Sequence, residues 1–279
     1  LATLTVNSWL DNNLAGDGLV TLREAIAAAN TNTATDLGEI GSGADTIVFD
    51  SATFATPRTT LLTLGEMQIT EALTIEGPGQ DLLTINAQLQ SRIFNITNTS
   101  GDFAIFGLTL TRGQSAGDGG AIRSSADLIV AQSTISGNAA ASLGGGIFAS
   151  DGMTATVIDS SISDNSTVMG YGGGIFGGKV TLTNSSVSGN TGGGVFAISS
   201  VSVTDSTVSG NNGFGVYARP YLDLGHSPPV VTITHSAVSG NSEPGIAINP
   251  AGLEYSTLTA ALVNNSVVNN NGGSGIFFS

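Results

Sequence analysis

Residues 170 to 190 read GYGGGIFGGKVTLTNSSVSGN, with Ile175, Leu182 and Val187 standing among glycines and small polar residues. The closing phrase returns as STISGN (133–138), SSISDN (160–165), SSVSGN (185–190), STVSGN (206–211), SAVSGN (236–241) and NSVVNN (265–270), with a weaker copy, TLTRG, at 109–113. Successive closing asparagines are 27, 25, 21, 30 and 29 residues apart. A period of about 20 to 50 residues marks a solenoid, a propeller or an array. A propeller blade needs four antiparallel strands in about 40 residues, more than the shortest of these periods can hold.

Three apolar columns run through the copies. The first is Ile105, Val130, Val157, Leu182, Val203, Ile233 and Leu262; the second, five residues later each time, is Leu110, Ile135, Ile162, Val187, Val208, Val238 and Val267. The third follows the asparagine: Ile122, Ile147, Ile175, Val195, Val216, Ile246 and Ile276. One inward side chain on each of three short strands makes one rung of a triangular coil. Stacked at the inter-strand spacing of about 4.8 Å, such rungs turn each column into an aliphatic ladder. The expected fold is therefore all-β, a single-stranded parallel β-helix solenoid with three strands per rung. A rung cannot bury its apolar side chains alone, which is why the phrase repeats.

Each closing asparagine stands where the chain must turn between its second and third strands. Asparagine tolerates left-handed backbone and can bond local main chain or the next amide in a stack, so Asn138, Asn165, Asn190, Asn211, Asn241 and Asn270 are assigned a structural turn role. The front of the chain differs. In VTLREAIAAAN, Thr21 and Glu24 have capping-box spacing, and Leu22, Ala25, Ile26 and Ala29 form one helical stripe. The chain is accordingly read as one domain, 1–279, with a cap region at 1–50 whose helix covers about 21–30, and rungs over 51–279. Arg23 and Glu24 are cap residues in this reading, because the open end of a solenoid needs a cover.

Composition narrows the function classes. The 279 residues carry 21 acidic and 7 basic side chains, a formal net charge of -14, which repels phosphate backbones and excludes nucleic acid as the natural partner. Cysteine is absent, so there are no disulfides, thiolate metal sites or cysteine nucleophiles. No apolar run approaches the roughly 18 residues of a membrane-spanning helix. The sequence opens without a signal-peptide pattern and ends within a repeat, GSGIFFS, so a piece of a longer, processed protein is expected.

The run DGLVTLREAIAAAN (17–30), followed by ADTIVFD, LGEMQITEALTIEGPG and LLTINAQ, resembles the CSLREA region at the front of bacterial surface and secreted β-helix proteins; this chain reads VTLREA and lacks the cysteine. GGAI at 119–122, the GGGI and GGGV turns and the spaced asparagines are similar to the GGA(I/L/V) and FxxN repeats of polymorphic outer membrane proteins, with Ile or Val here in place of Phe. Together the resemblances cover nearly the whole chain. They imply a right-handed, pectate-lyase-like β-helix and a secreted or cell-surface bacterial setting, without implying one activity, since this fold carries enzymes, adhesins and passive stalks alike.

Chemistry on such a scaffold is expected where rungs are interrupted. The excursions AAASLGG and STVMGYGG, on neighbouring rungs, carry Met169 and Tyr171 but no acid and are read as shape. Two longer inserts, within 217–231 and 248–261, gather Tyr217, Arg219, Tyr221, Asp223, His226, Glu254 and Tyr255. Arg219 or His226 could serve as a lyase base, Asp223 and Glu254 could hold Ca²⁺, and Tyr217, Tyr221 and Tyr255 could bind a ligand. No cofactor signature is present, although so acidic a chain can take Ca²⁺. Asp151, Asp159 and Asp164 read as surface charge and His235 as a turn residue. Threonines form no regular flat TxT array in the sequence. Directly after the third column come Arg123, Phe148, Phe176, Phe196, Tyr217, Ala247 and Phe277. Strict alternation turns them outward as an exposed aromatic ladder that could stack on sugar rings; a bend in the third strand would bury them instead.

The leading expectation is a non-catalytic segment of a bacterial surface or secreted protein, a spacer or adhesin that binds a polysaccharide or a surface partner. The alternative is a carbohydrate-active enzyme, a polysaccharide lyase or glycoside hydrolase, using the insert pair.

Overall fold

The computed structural model describes residues 1–98, 101–219, 229–249, 261–264, 266–269, 271–273 and 275–278. The chain winds as a parallel solenoid whose strands pair only with the rung before and the rung after. The first stack begins inside the cap region, at Thr3–Val6 on Asp45–Phe49, and continues through Leu73–Glu76, Phe103–Phe106, Leu128–Ala131 and Thr154–Ile158. A second stack of nine strands runs from Arg58–Leu61 to Val267–Asn269. The third runs from Met67–Ile69 to Ile276–Phe278. Stacks one and three share a sheet, because Ile175–Thr183 and Val195–Thr204 cross from third position to first without a loop. Only a register shift between Gly177 and Lys179 marks that corner.

Register confirms the columns as far as the penultimate rung. Ile105, Val130, Val157, Leu182, Val203 and Ile233 are mutual partners, as are Leu110, Ile135, Ile162, Val187, Val208 and Val238. All are fully buried. The columns also extend forward, through Leu4, Ile47 and Ile75 in the first stack and Met67 and Phe94 in the third. At the last rung the register moves by one residue in the first two columns, while Ile276 keeps its expected place opposite Ile246 in the third. Val263, not Leu262, pairs with Ile233, and Val268, not Val267, pairs with Val238. Val267 is instead 53% exposed. The sequence NNSVVNNN reads equally well in two frames, and pairing with the rung before selects one.

The asparagines form a continuous internal ladder. The main-chain N–H and the Nδ2 of each donate to the Oδ1 of the next, from Asn138 to Asn165, Asn190, Asn211 and Asn241, at 2.8–3.1 Å. Nδ2 also donates to a carbonyl of the preceding rung, as Asn190 does to Ile162 at 3.0 Å. The last rung contributes Asn271, which accepts from Asn241; Asn270 lies outside the described residues. Left-handed backbone falls on the residue before the asparagine, with φ from 56° to 67° at Gly137, Asp164, Gly189, Gly210 and Gly240. Asp164 thus occupies the glycine place of its turn.

A second ladder went unread in the sequence. The N–H groups of Ser133, Ser160, Ser185, Ser206 and Ser236 each donate to the Oγ of the serine one rung on, ending at Ser266, at 2.9–3.1 Å. Each of these hydroxyls from Ser133 to Ser266 donates in turn to the carbonyl two residues before it. The preceding residue, Gln132, Asp159, Asn184, Asp205 or His235, takes φ of 48–49° to turn the corner, which gives His235 its turn role.

At the front, Leu22–Thr31 is a helix with the full Thr21–Glu24 capping box, ending at a left-handed Asn32. It buries Leu22, Ala25, Ile26, Ala28 and Ala29 against Thr3–Val6, Asp45–Phe49 and Met67–Ile69, closing that end of the core. Arg23 pairs with the nearly buried Asp11 at 2.6 Å and donates to the carbonyls of Gly65 and Glu66. Asp11 also accepts from the N–H groups of Thr63 and Leu64. Burial opposes ionisation of Asp11, but these hydrogen bonds and the guanidinium outweigh it and hold its pKa below the ordinary carboxylate value.

Candidate functional site

Outward positions are where ligands can reach this coil, and the structure sorts them into three surfaces. The first is aromatic. Phe148, Phe176 and Phe196 alternate with inward-facing Ile147, Ala149, Ile175, Val195 and Ala197, so they point away from the main core, yet all are at least nine-tenths buried. Their rings stack at 5.3 Å and 4.9 Å with interplanar angles of 10° and 7°. Tyr217 closes the row edge-on at 5.1 Å, and the Arg123 guanidinium lies 6.0 Å from Phe148 at the other end.

The cover is the pair of excursions. Ala139–Ala140 and Ser166–Thr167 pair in a small three-stranded sheet with Gln114–Ser115, and Leu143 bridges to Tyr171. Leu143 packs on the phenylalanines, and Tyr171 meets Phe196 at 5.4 Å. From Phe148 to Phe196 the column is thus outward and buried together, a small second core outside the coil, whereas Phe277 on the last rung is 43% exposed. Val168 and Met169, at the crest of the ridge, are exposed. The GGG turns beneath require glycine: a Cβ at Gly145 or Gly173 would strike the carbonyl of the neighbouring rung.

The second surface is a hydroxyl array hidden by the uneven rung lengths. Register brings Thr156, Thr181, Ser202 and Thr232 into one outward column of the first stack, and Ile158, Thr183, Thr204 and Thr234 into another. The interchange of Ser with Thr and the varying loops between copies concealed it.

The third surface is a groove of about 380 Å³ at the corner between the first and second stacks. Its floor is Thr134, Ser161, Ser186 and Thr207, which share one register column, and its rim is Asp159, Asn184 and Asp205. Asn184 donates to Asp159 at 2.6 Å, and His235 stands 3.7 Å from Asp205. Gln80 walls one end, taking a hydrogen bond from Thr134. Asp159, read from the sequence as plain surface charge, therefore borders a polar groove.

The inserts are largely beyond view. Tyr221, Asp223, His226, Glu254 and Tyr255 lie outside the described residues. Tyr217 is half-buried, its ring 4.7 Å from Phe214 as well as against Phe196. Arg219 is half-buried, and its main-chain N–H donates to Ala197 at 2.9 Å. The strands that flank both inserts are neighbours in register, Val216–Ala218 with Ile246–Ile248 and Val230–Thr234 with Ala261–Asn264. Among the described residues no three acids or histidines are grouped to hold a metal, and no helix is long and apolar enough to cross a membrane.

Comparison of the chain with curated proteins found no match, and comparison with solved structures found none. The right handed beta helix region family matches twice, over residues 91–217 and 134–279. These spans cover more than half of the chain and hold the columns and ladders described above, and they give the coil its hand: the chain belongs to the right-handed β-helix family.

Proposed function

We propose that this chain is a stiff, non-catalytic segment of a bacterial cell-surface or secreted protein, a spacer or adhesin whose outer surface binds a glycan or another surface partner. The observation that carries this reading is the use to which the repeat puts its polar side chains. Asparagine after asparagine and serine after serine is spent on internal ladders that tie each rung to the next. Such a repeat builds length and rigidity, and leaves outside a long face of small hydroxyls. The likeness of residues 17–30 and 119–122 to surface-protein sequences supports the setting.

A carbohydrate-active enzyme built on the insert pair is the competing reading, favoured by the neighbouring register of the strands that flank the inserts. Incubation with neutral and acidic polysaccharides, with and without Ca²⁺, separates the two. Retention on a polymer without release of oligosaccharides is expected. Release of products, lost in Arg219→Ala or His226→Ala, would overturn the non-catalytic reading.

A further inference from the structure

We infer that the groove between the first and second stacks is a docking track for an uncharged polysaccharide chain lying along the coil axis, an inference that rests on the glycan-binding reading above and gives it a place and a ligand class. The protein's own chain shows what this hydroxyl column accommodates. Gln80 lies across its first members: Thr109 Oγ1 donates to the Gln80 carbonyl at 2.8 Å, and Thr134 Oγ1 donates to its side-chain Oε1 at 2.9 Å. Thr109 and Thr134 are register partners, and the same column continues as Ser161, Ser186 and Thr207. Those three hydroxyls line the groove, and among the described residues no protein group is hydrogen-bonded to them.

The rim supplies the complementary chemistry. Asp159, Asn184 and Asp205 are held at the corner by the same left-handed backbone, with φ of 49°, 48° and 49°. Carboxylates accept from sugar hydroxyls, the amide both donates and accepts, and the floor hydroxyls do both. Because the floor hydroxyl recurs from rung to rung, about 4.8 Å apart, under a rim of Asp159, Asn184 and Asp205, a polymer of hydroxyl-bearing units meets a hydroxyl and a carboxylate or amide at each of these steps. Two rim carboxylates on a chain of formal charge -14 disfavour uronates and sulfated sugars. Among the described residues that line the groove none is aromatic, so recognition here is by hydrogen bonding along the chain.

Affinity electrophoresis in gels containing a soluble β-glucan, a galactomannan or polygalacturonate tests this. Ser186→Tyr fills the floor, Asp159→Ala with Asp205→Ala strips the rim, and Leu37→Tyr, exposed in the cap region away from the hydroxyl columns, is the control; thermal melting checks that all fold. Retardation by a neutral polymer is expected, weakened at least tenfold by either groove change and untouched by the control. Neutral-polymer retardation that survives both groove changes would overturn the track and leave glycan binding standing. Stronger retardation by polygalacturonate would overturn the ligand class. No retardation by any polymer would remove the glycan reading and this inference with it.

Discussion

Asn190 shows what one residue of the repeat does. Its Oδ1 accepts from both the main-chain N–H and the Nδ2 of Asn165, and its Nδ2 donates to Ile162. Alanine there would leave the buried Asn165 N–H unpaired, at about 1–3 kcal/mol, while the Ile162 carbonyl keeps its place in the strand ladder with Ser186–Ser188. Asn190→Ala should therefore lose about 1–3 kcal/mol in chemical denaturation, whereas a loss below about 0.5 kcal/mol would deny the ladder its structural role. Asp11 offers a test by pH. Its carboxylate pKa is lower in the folded chain than in the unfolded one, so its stabilisation is complete above the ordinary carboxylate range and is lost as pH falls through the folded value. Asp11→Asn should melt below wild type at pH 6, since it breaks the ion pair with Arg23 and removes the carboxylate that accepts from Thr63 and Leu64, and the gap should narrow as pH falls towards 2. A gap unchanged in acid would mean that the ion pair is not its source.

Strands and turns are the scale at which the sequence was most and least legible. The three columns could be read because β-branched residues at fixed offsets leave a period even where loops vary, and Ile135, Val187 and Val208 fall where that period puts them. The serine ladder could not be read, since Ser133 and its equivalents look like ordinary turn residues until the rungs are set in register. The final rung slipped by one because Val267 and Val268 are chemically alike and only pairing tells them apart. The phenylalanine column resisted for another reason: its direction follows from alternation, but its burial follows from two excursions whose pairing no local pattern reveals. Phe176, stacked on both sides and 2% exposed, should therefore be costly to truncate. Phe176→Ala is expected to lose about 3 kcal/mol or more and to loosen the ridge, detectable as faster proteolysis within 139–146 and 166–174. Of the groove, the sequence held every residue and no hint of the assembly, because Gln80 reaches Thr134 across 54 positions.

Over the whole molecule, each rung is stable only through its neighbours, so damage at the centre should spread. Val208 is fully buried between Val187 and Val238, and Val208→Asp would place an unpaired charge in the dry interior. Loss of the β-sheet signal in circular dichroism is expected across the central rungs; an unaltered melting curve would refute the second column. Amide and serine ladders bind the coil into one stiff body from the rung of Leu108 and Gly113 to the last rungs. Hydrogen exchange of individual amides, followed by NMR, tests it most directly. The main-chain N–H groups of Asn138, Asn165, Asn190, Asn211 and Asn241 should exchange as slowly as the strand amides beside them. Exchange of these five at the rate of open turns, while the strands stay protected, would contradict it.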